Sequence, residues 1–236
     1  MIFQAGIENN NEGRSIGWAL EHPGCFAYGI NADGALLNLE TAISKYAAWI
    51  LRHDTRTWLT FADSEIEIVV NGIWDVYYIN DDLDKVAEAD GYNVDSFFPF
   101  DWKPLTSLEI KHALDMLTWS RDDLLKSIKG ISPEKLEAKY AGERWSINGI
   151  LGHLGSAEWW YLDRLGLAFP RTELPEEPLV RLEKVRKSFA SALYKLDGLQ
   201  QVVGVEGELW SPRKLLRRCM WHERDHTLHI IKLRDM

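Results

Sequence analysis

The spacing of hydrophobic and polar positions in the first third of the chain differs from the spacing in the rest. Up to about residue 80, short apolar runs such as residues 2–7 and 65–70 are separated by turn-forming residues. One stretch in this part, residues 36–50, repeats its apolar positions at helical spacing. The pattern predicts the order β-β-β-α-β, with a further strand at 73–79. We therefore expect a small α+β domain over residues 1–80.

From about residue 105 onward the apolar positions recur every three or four residues. Long helices are predicted at 106–130, 146–166, 178–197 and 211–235, with a short one near 133–140. Ser132, Ser146 and Ser211 stand where helix N-caps are expected, and a proline follows two of them. Short loops between long amphipathic helices favour a four-helix bundle over residues 105–236.

The segment between these two parts, residues 81–104, has a different composition. It combines seven acidic residues with five aromatic residues and two prolines. We interpret it as an acidic and aromatic linker. The chain is thus predicted to be an α+β protein of two domains, a small sheet domain followed by an all-α domain.

The charge distribution supports two domains and argues against one class of partner, nucleic acids. The net charge of −9 divides into −11 for residues 1–95 and +2 for the remainder. An acidic first part repels a phosphate backbone, so we expect no nucleic-acid partner.

No apolar run approaches the ~20 residues of a membrane span, and the amino terminus lacks the features of a signal peptide. With only Cys25 and Cys219, far apart in sequence, the chain suits a reducing cytoplasm.

The chemistry is concentrated in the last predicted helix. His222, His226 and His229 stand at i, i+4 and i+7, on the same face as the apolar stripe. Burying a bare imidazole is costly, so these side chains either bind a metal or meet buried carboxylates and carbonyls. A mononuclear catalytic site needs a third ligand beside the pair His222 and His226. The candidates are His112, His153 and His229, and His153 can meet the pair across a bundle core.

Two further features of this helix qualify that hypothesis. Residues 222–226 match the His-Glu-x-x-His pattern of zinc metalloproteases. No downstream ligand completes a protease pattern, and the helix ends within ten residues of the motif. The opposite face, with Lys214 and Arg217, is predicted to meet solvent.

Two segments of the predicted bundle carry a family resemblance. Arg144-Trp145-Ser146-Ile147 leads into His153, and Trp221-His222 leads into His226, His229 and Ile230. In this order and spacing, the segments resemble the DinB/YfiT-like family of bacterial candidate metalloenzymes. The resemblance implies that His153, His222 and His226 bind a divalent metal ion such as zinc or nickel. It also implies a thiol-dependent S-transferase or a small-molecule hydrolase, with a low-molecular-weight thiol as a candidate cosubstrate. A noncatalytic metal-binding module, serving a stress response or a protein partner, is the alternative.

Four other side chains are candidates for the chemistry of such a site. Glu223 and Glu158 are the candidate catalytic residues, each as a base or as a carboxylate that orients a histidine. Arg144 and Arg164 are candidate anchors for a carboxylate-bearing substrate, with surface salt bridges as the alternative. We expect a small-molecule substrate, no membrane partner, and leave a homodimer open.

The first part of the chain resembles a second family. Its strand ending in Pro23-Gly24-Cys25, its strand ending in Gly29 and the following helix with Asn38 are similar to the HicB-like fold. That fold is related to the double-stranded-RNA-binding layout. No DNA-binding motif is appended to it, so an antitoxin role is not implied.

Overall fold

The computed structural model describes residues 1–54, 58–59, 66–79 and 92–236. The described residues form a mixed α/β protein with an amino-terminal sheet and six α-helices. They divide into two compact units, which is consistent with two domains. One unit comprises Met1–Lys103 and Val202–Ser211, and the other comprises Pro104–Gln201 and Pro212–Met236. Most of the predicted acidic run, residues 80–91, lies outside the described residues.

A four-stranded sheet forms the centre of the first unit. Its strands are β1 (Ile2–Asn11), β2 (Arg14–Ala19), β3 (Phe26–Gly29) and β4 (Glu67–Asp75), in the order β3-β2-β1-β4. β1 is antiparallel to β2 and parallel to β4, while β2 is antiparallel to β3. Along the chain, the described elements follow the predicted sequence of three strands, one helix and two further strands.

Helix α1 (Ala32–His53) covers one face of this sheet. Asn31 caps its first turn by accepting a hydrogen bond from the Gly34 amide, and Leu39, Ile43 and Ile50 are fully buried. A Cβ at Gly29 would lie only 2.1 Å from the Ala35 nitrogen, so glycine permits the close approach of β3 to this helix. β5 (Tyr77–Ile79) pairs with β6 (Tyr92–Val94) in a separate two-stranded sheet.

A second hairpin joins the first unit from far along the chain. β7 (Val203–Val205) and β8 (Glu208–Trp210) are connected by Glu206 and Gly207, both at positive φ, as in a type I′ turn. A Cβ at Gly207 would lie 2.5 Å from Cδ1 of Ile79, so the turn lies directly against β5. The sequence pattern did not predict this hairpin, because three-residue strands are too short to show an alternation.

The second unit is helical throughout. Its helices are α2 (Ser107–Ile128), α3 (Pro133–Glu137), α4 (Ile147–Arg164), α5 (Pro178–Lys195) and α6 (Pro212–Arg234). The four long helices were each predicted to within two residues at both ends, and Ser132 and Ser146 are N-caps as expected. α4 packs against α5 and α6, and α2 packs against the same two helices. Their shared core includes Leu124, Ile150, Leu154, Leu182 and Ile230.

One prediction about α6 is wrong. The face with Lys214 and Arg217 was expected in solvent, but these side chains are only 0% and 3% exposed. Charged side chains are buried this fully only where other residues pair with them, and the pattern of a single helix does not show such partners. None of the described helices is both long and apolar enough to cross a membrane.

Candidate metal centre

Helices α4 and α6 bring three histidines together. The Nε2 atom of His222 lies 3.0 Å from Nε2 of His153 and 3.1 Å from Nε2 of His226. One ligand atom from each of the three side chains lies within 4.8 Å of the others. The prediction that His153 meets the pair from another helix is therefore confirmed by the geometry.

The arrangement fits a metal ion. Two imidazole nitrogens that are each about 2.0–2.1 Å from one ion lie roughly 3 Å apart when their bonds to it are near perpendicular. The donor set also has the correct chemistry, because neutral imidazole binds zinc, nickel and similar ions. The buried Nδ1 of His226 has no hydrogen-bond partner among the described residues. Packing, rather than an acceptor for this nitrogen, therefore orients its ring.

The site favours uncharged histidines. Burial is the largest cause that lowers the pKa of His222 well below its usual range, followed by the nearby His226 and His153. Burial, His153 and His229 lower the pKa of His226 to about 3. Burial and then Arg144 lower the pKa of His153. The three imidazoles are therefore unprotonated at neutral pH, which is the form that binds a metal.

Aromatic rings form the walls of the site. Trp145 stacks on His153, with ring centroids 4.4 Å apart and planes 22° apart. Trp221 stacks on His222 at 5.5 Å, and the ring of Tyr161 meets His222 edge-on at 6.1 Å. These contacts hold the imidazoles in place, because each ring is confined by a flat neighbour.

His229 lies outside the group of three. Its Nε2 is 2.8 Å from a carboxylate oxygen of Glu143, whose other oxygen is 3.3 Å from the Lys232 ammonium. Glu143 belongs to the loop before α4, so this contact ties that loop to α6. No sequence signal pointed to Glu143, because a single acid in a polar loop has no periodicity to mark it.

The two candidate catalytic carboxylates lie in a buried cluster with two arginines, which we call the Arg–Glu cluster: Arg121, Glu158, Arg186 and Glu223. Arg121 donates from Nε to Glu223 at 2.7 Å and from Nη2 to Glu158 at 3.1 Å. Arg186 donates to both oxygens of Glu158, at 2.6 and 3.1 Å, and to Glu223 at 2.9 Å. Both carboxylates are at most 5% exposed, so two positive and two negative charges balance inside the protein.

This cluster weakens the case for a general base. Burial raises the pKa of Glu223, but Arg186 and Arg121 outweigh it and the net pKa is lowered, so its affinity for a proton is reduced. Among the described residues, neither carboxylate forms a hydrogen bond with the three histidines. A protease-like role for Glu223 loses support, because its carboxylate is engaged by two guanidinium groups. A catalytic role for Glu158 and Glu223 stays a prediction.

The sequence did contain a signal for the two arginines. Arg121 lies four residues after Leu117 and three before Leu124, and Arg186 lies four after Leu182. Both therefore fall on the apolar stripes of their helices, where an unpaired charge is costly. Cys219 also lies near this cluster: burial and then Glu158 raise the pKa of its thiol well above the usual range.

The family comparison covers the helices that carry the three histidines. Residues 116–230 match the model of the DinB superfamily. These residues form a DinB superfamily domain. The match spans α4 and most of α6, and hence all three histidines. No curated protein and no solved structure matches the chain. The comparison does not reach the amino-terminal sheet, whose HicB-like resemblance stays a prediction.

Proposed function

We propose that this DinB-type helical domain is a four-helix bundle that binds one divalent metal ion, such as zinc or nickel, through His153, His222 and His226. The observation that supports this most directly is the convergence of three Nε2 atoms, at 3.0 and 3.1 Å, from two different helices. Three neutral donors on packed helices are an arrangement that a metal stabilises and that apolar packing alone does not require.

We further propose that the metal serves an enzyme that acts on a small molecule. A divalent ion held by three neutral ligands keeps its full charge and would acidify a bound water or thiol. A thiol held as its thiolate is the attacking form, which suits a thiol-dependent S-transferase, and an acidified water suits a hydrolase. The chain's own contribution is to hold the donors unprotonated and to confine the site with Trp145, Trp221 and Tyr161.

The Arg–Glu cluster favours a second candidate function. Because Glu158 and Glu223 are each bound to arginine, neither is free to move a proton at the site. In this alternative the metal stabilises the bundle, and the protein is a noncatalytic metal-binding module. The HicB-like domain would then recruit a protein partner or a second copy of the chain.

Metal analysis of purified protein tests the centre itself. After addition of zinc or nickel and removal of the excess, we expect one ion per chain in the wild type. His153→Ala, His222→Ala and His226→Ala should each abolish binding, because two imidazoles hold a divalent ion far less tightly than three. His112→Ala is the matched control, since His112 lies on α2 outside the group of three, and it should bind one ion. Binding below one ion in three wild-type chains would overturn the proposal.

A thiol panel with an electrophilic acceptor separates the enzyme from the binding module. Turnover that requires both the metal and one class of thiol supports the S-transferase. Turnover of an activated ester or amide that requires the metal but no thiol supports the hydrolase. If metal binds fully and neither activity appears, the noncatalytic module is supported.

A further inference from the structure

Arg144 is a charged side chain beside the centre without an acidic partner. It is exposed, and its guanidinium carbon lies 4.3 Å from the centroid of the Trp145 ring. Within the described part of the chain, no carboxylate lies within salt-bridge distance of it. Arg164, the other candidate anchor, is buried and pairs with Asp163 at 3.0 Å. The structure therefore distinguishes two arginines that the sequence left equivalent.

Trp145 connects this cation to the metal centre. The Trp145 indole, over which the Arg144 guanidinium lies, also stacks on His153, with ring centroids 4.4 Å apart. Arg144 and His153 thus contact the same indole ring, which places the guanidinium beside the centre.

Three acidic side chains of the described part of the helical domain are not available to balance a cation at the three histidines. The nearby acids are engaged elsewhere, because Glu158 and Glu223 belong to the Arg–Glu cluster and Glu143 binds His229 and Lys232. A divalent ion beside Arg144 would add to the positive charge there, which an anionic ligand would offset.

The loop that carries Arg144 is fixed in place. Its neighbour Glu143 is bonded to His229 and Lys232 on α6, and Ser146 caps α4 by accepting a hydrogen bond from the Gly149 amide at 3.1 Å. The backbone at Arg144 is thus fixed by the contacts of residues before and after it in the sequence. Trp145 also limits the space that the Arg144 guanidinium can sample. A cation positioned in this way loses little freedom when it binds an anion.

We propose that Arg144 is the anion-binding residue of the centre, and that the substrate carries a carboxylate which pairs with Arg144 while another of its atoms reaches the three histidines. This inference rests on the proposed function, since it presumes a metal at the three imidazoles. The planar guanidinium suits a carboxylate, with which it can form two parallel hydrogen bonds.

Short thiols bound to the cobalt-loaded protein provide the test. Thiolate ligation to Co²⁺ gives a charge-transfer absorption band, so binding is measured without any turnover. The probes are 3-mercaptopropionate, 2-mercaptoethanesulfonate and neutral 2-mercaptoethanol. We expect the wild type to favour the carboxylate over the neutral thiol about tenfold more than Arg144→Gln does, the effect of roughly one charge-assisted hydrogen bond. Comparing this ratio between variants cancels the intrinsic difference between the thiols.

Two further variants sharpen the result. Arg144→Lys should keep part of the preference, because it keeps the charge and loses the planar fork. Arg171→Gln is the matched control, since Arg171 is also exposed and lies over a tryptophan, 5.9 Å from the Trp159 ring centroid. It should keep the full preference.

The outcomes that would overturn the inference differ from one another. Equal binding of charged and neutral thiols, or a preference that persists in Arg144→Gln, removes the role of Arg144. Sulfonate binding as tight as carboxylate binding overturns the carboxylate as the substrate group. Failure of the wild type to bind Co²⁺ overturns the proposed function and this inference with it, whereas Co²⁺ binding without discrimination overturns this inference alone.

Discussion

Replacing Arg186 with methionine should destabilise the helical domain strongly. The guanidinium of Arg186 donates three hydrogen bonds to Glu158 and Glu223, and a fourth to the Leu117 carbonyl at 2.6 Å. Without it, Arg121 alone faces two carboxylates that are 5% and 3% exposed, so one negative charge remains buried and uncompensated. Breaking a buried ion pair from one side costs about 3–5 kcal/mol. That is a large share of the 5–15 kcal/mol by which domains are usually stable.

Urea unfolding of the metal-free protein, followed by circular dichroism, measures this loss. The double variant Arg186→Met with Glu158→Gln removes one charge of each sign, so it should be less destabilised than the sum of its two single variants by at least about 1 kcal/mol. Lys187→Met is the matched control, because Lys187 is adjacent but 75% exposed and pairs only with the exposed Glu183. It should unfold like the wild type. If Arg186→Met loses less than about 1 kcal/mol and the pair is additive, the four side chains do not form a coupled buried cluster.

Two other predictions concern the histidines. The folded pKa of His226, about 3, lies below its usual 6.5, so the unfolded chain takes up a proton first and stability is lost as pH falls below about 6.5. In the metal-free state, the wild type should therefore lose about 2 kcal/mol more unfolding free energy than His226→Gln when the pH falls from 7 to 5. If urea titrations show the same difference between the two proteins at both pH values, this prediction is contradicted. Metal at 100 times its dissociation constant should stabilise the wild type by about 2.7 kcal/mol in thermal unfolding. His153→Ala should show no such gain, and an equal gain would place the ion elsewhere.

The helices were predictable because each carries its apolar stripe over four turns or more. α2, α4, α5 and α6 are 18 to 23 residues long, so several repeats define each face and the caps mark the ends. The β7–β8 hairpin has no such redundancy, since its strands have three residues each and its turn is Glu206-Gly207 rather than the usual Asn-Gly or Asp-Gly.

The candidate site was predictable where the spacing along one helix brings side chains together. His222 and His226 are one turn apart, a spacing at which two imidazoles can share an ion, and the motif around His153 indicated the third candidate donor. Contacts between side chains on different helices produce no regular spacing in a single sequence, so they could not be predicted in this way. The contacts of Arg121 and Arg186 with two glutamates, and of Glu143 with His229, depend on side chains that meet only after the helices have packed.

The positions of His222 and Glu223 explain why this carboxylate does not join the adjacent histidine at the candidate metal centre. Neighbouring residues on a helix point about 100° apart, so these two side chains enter different clusters although they are adjacent in sequence. His222 joins two other neutral imidazoles, while Glu223 turns to Arg121 and Arg186. Helix α6 thus separates the carboxylate of Glu223, which is neutralised in the core, from the two histidines that the helix contributes to the candidate metal centre. The proposed metal ion would keep its full charge among three neutral ligands, and we therefore expect it to bind an anionic ligand such as a thiolate or a hydroxide.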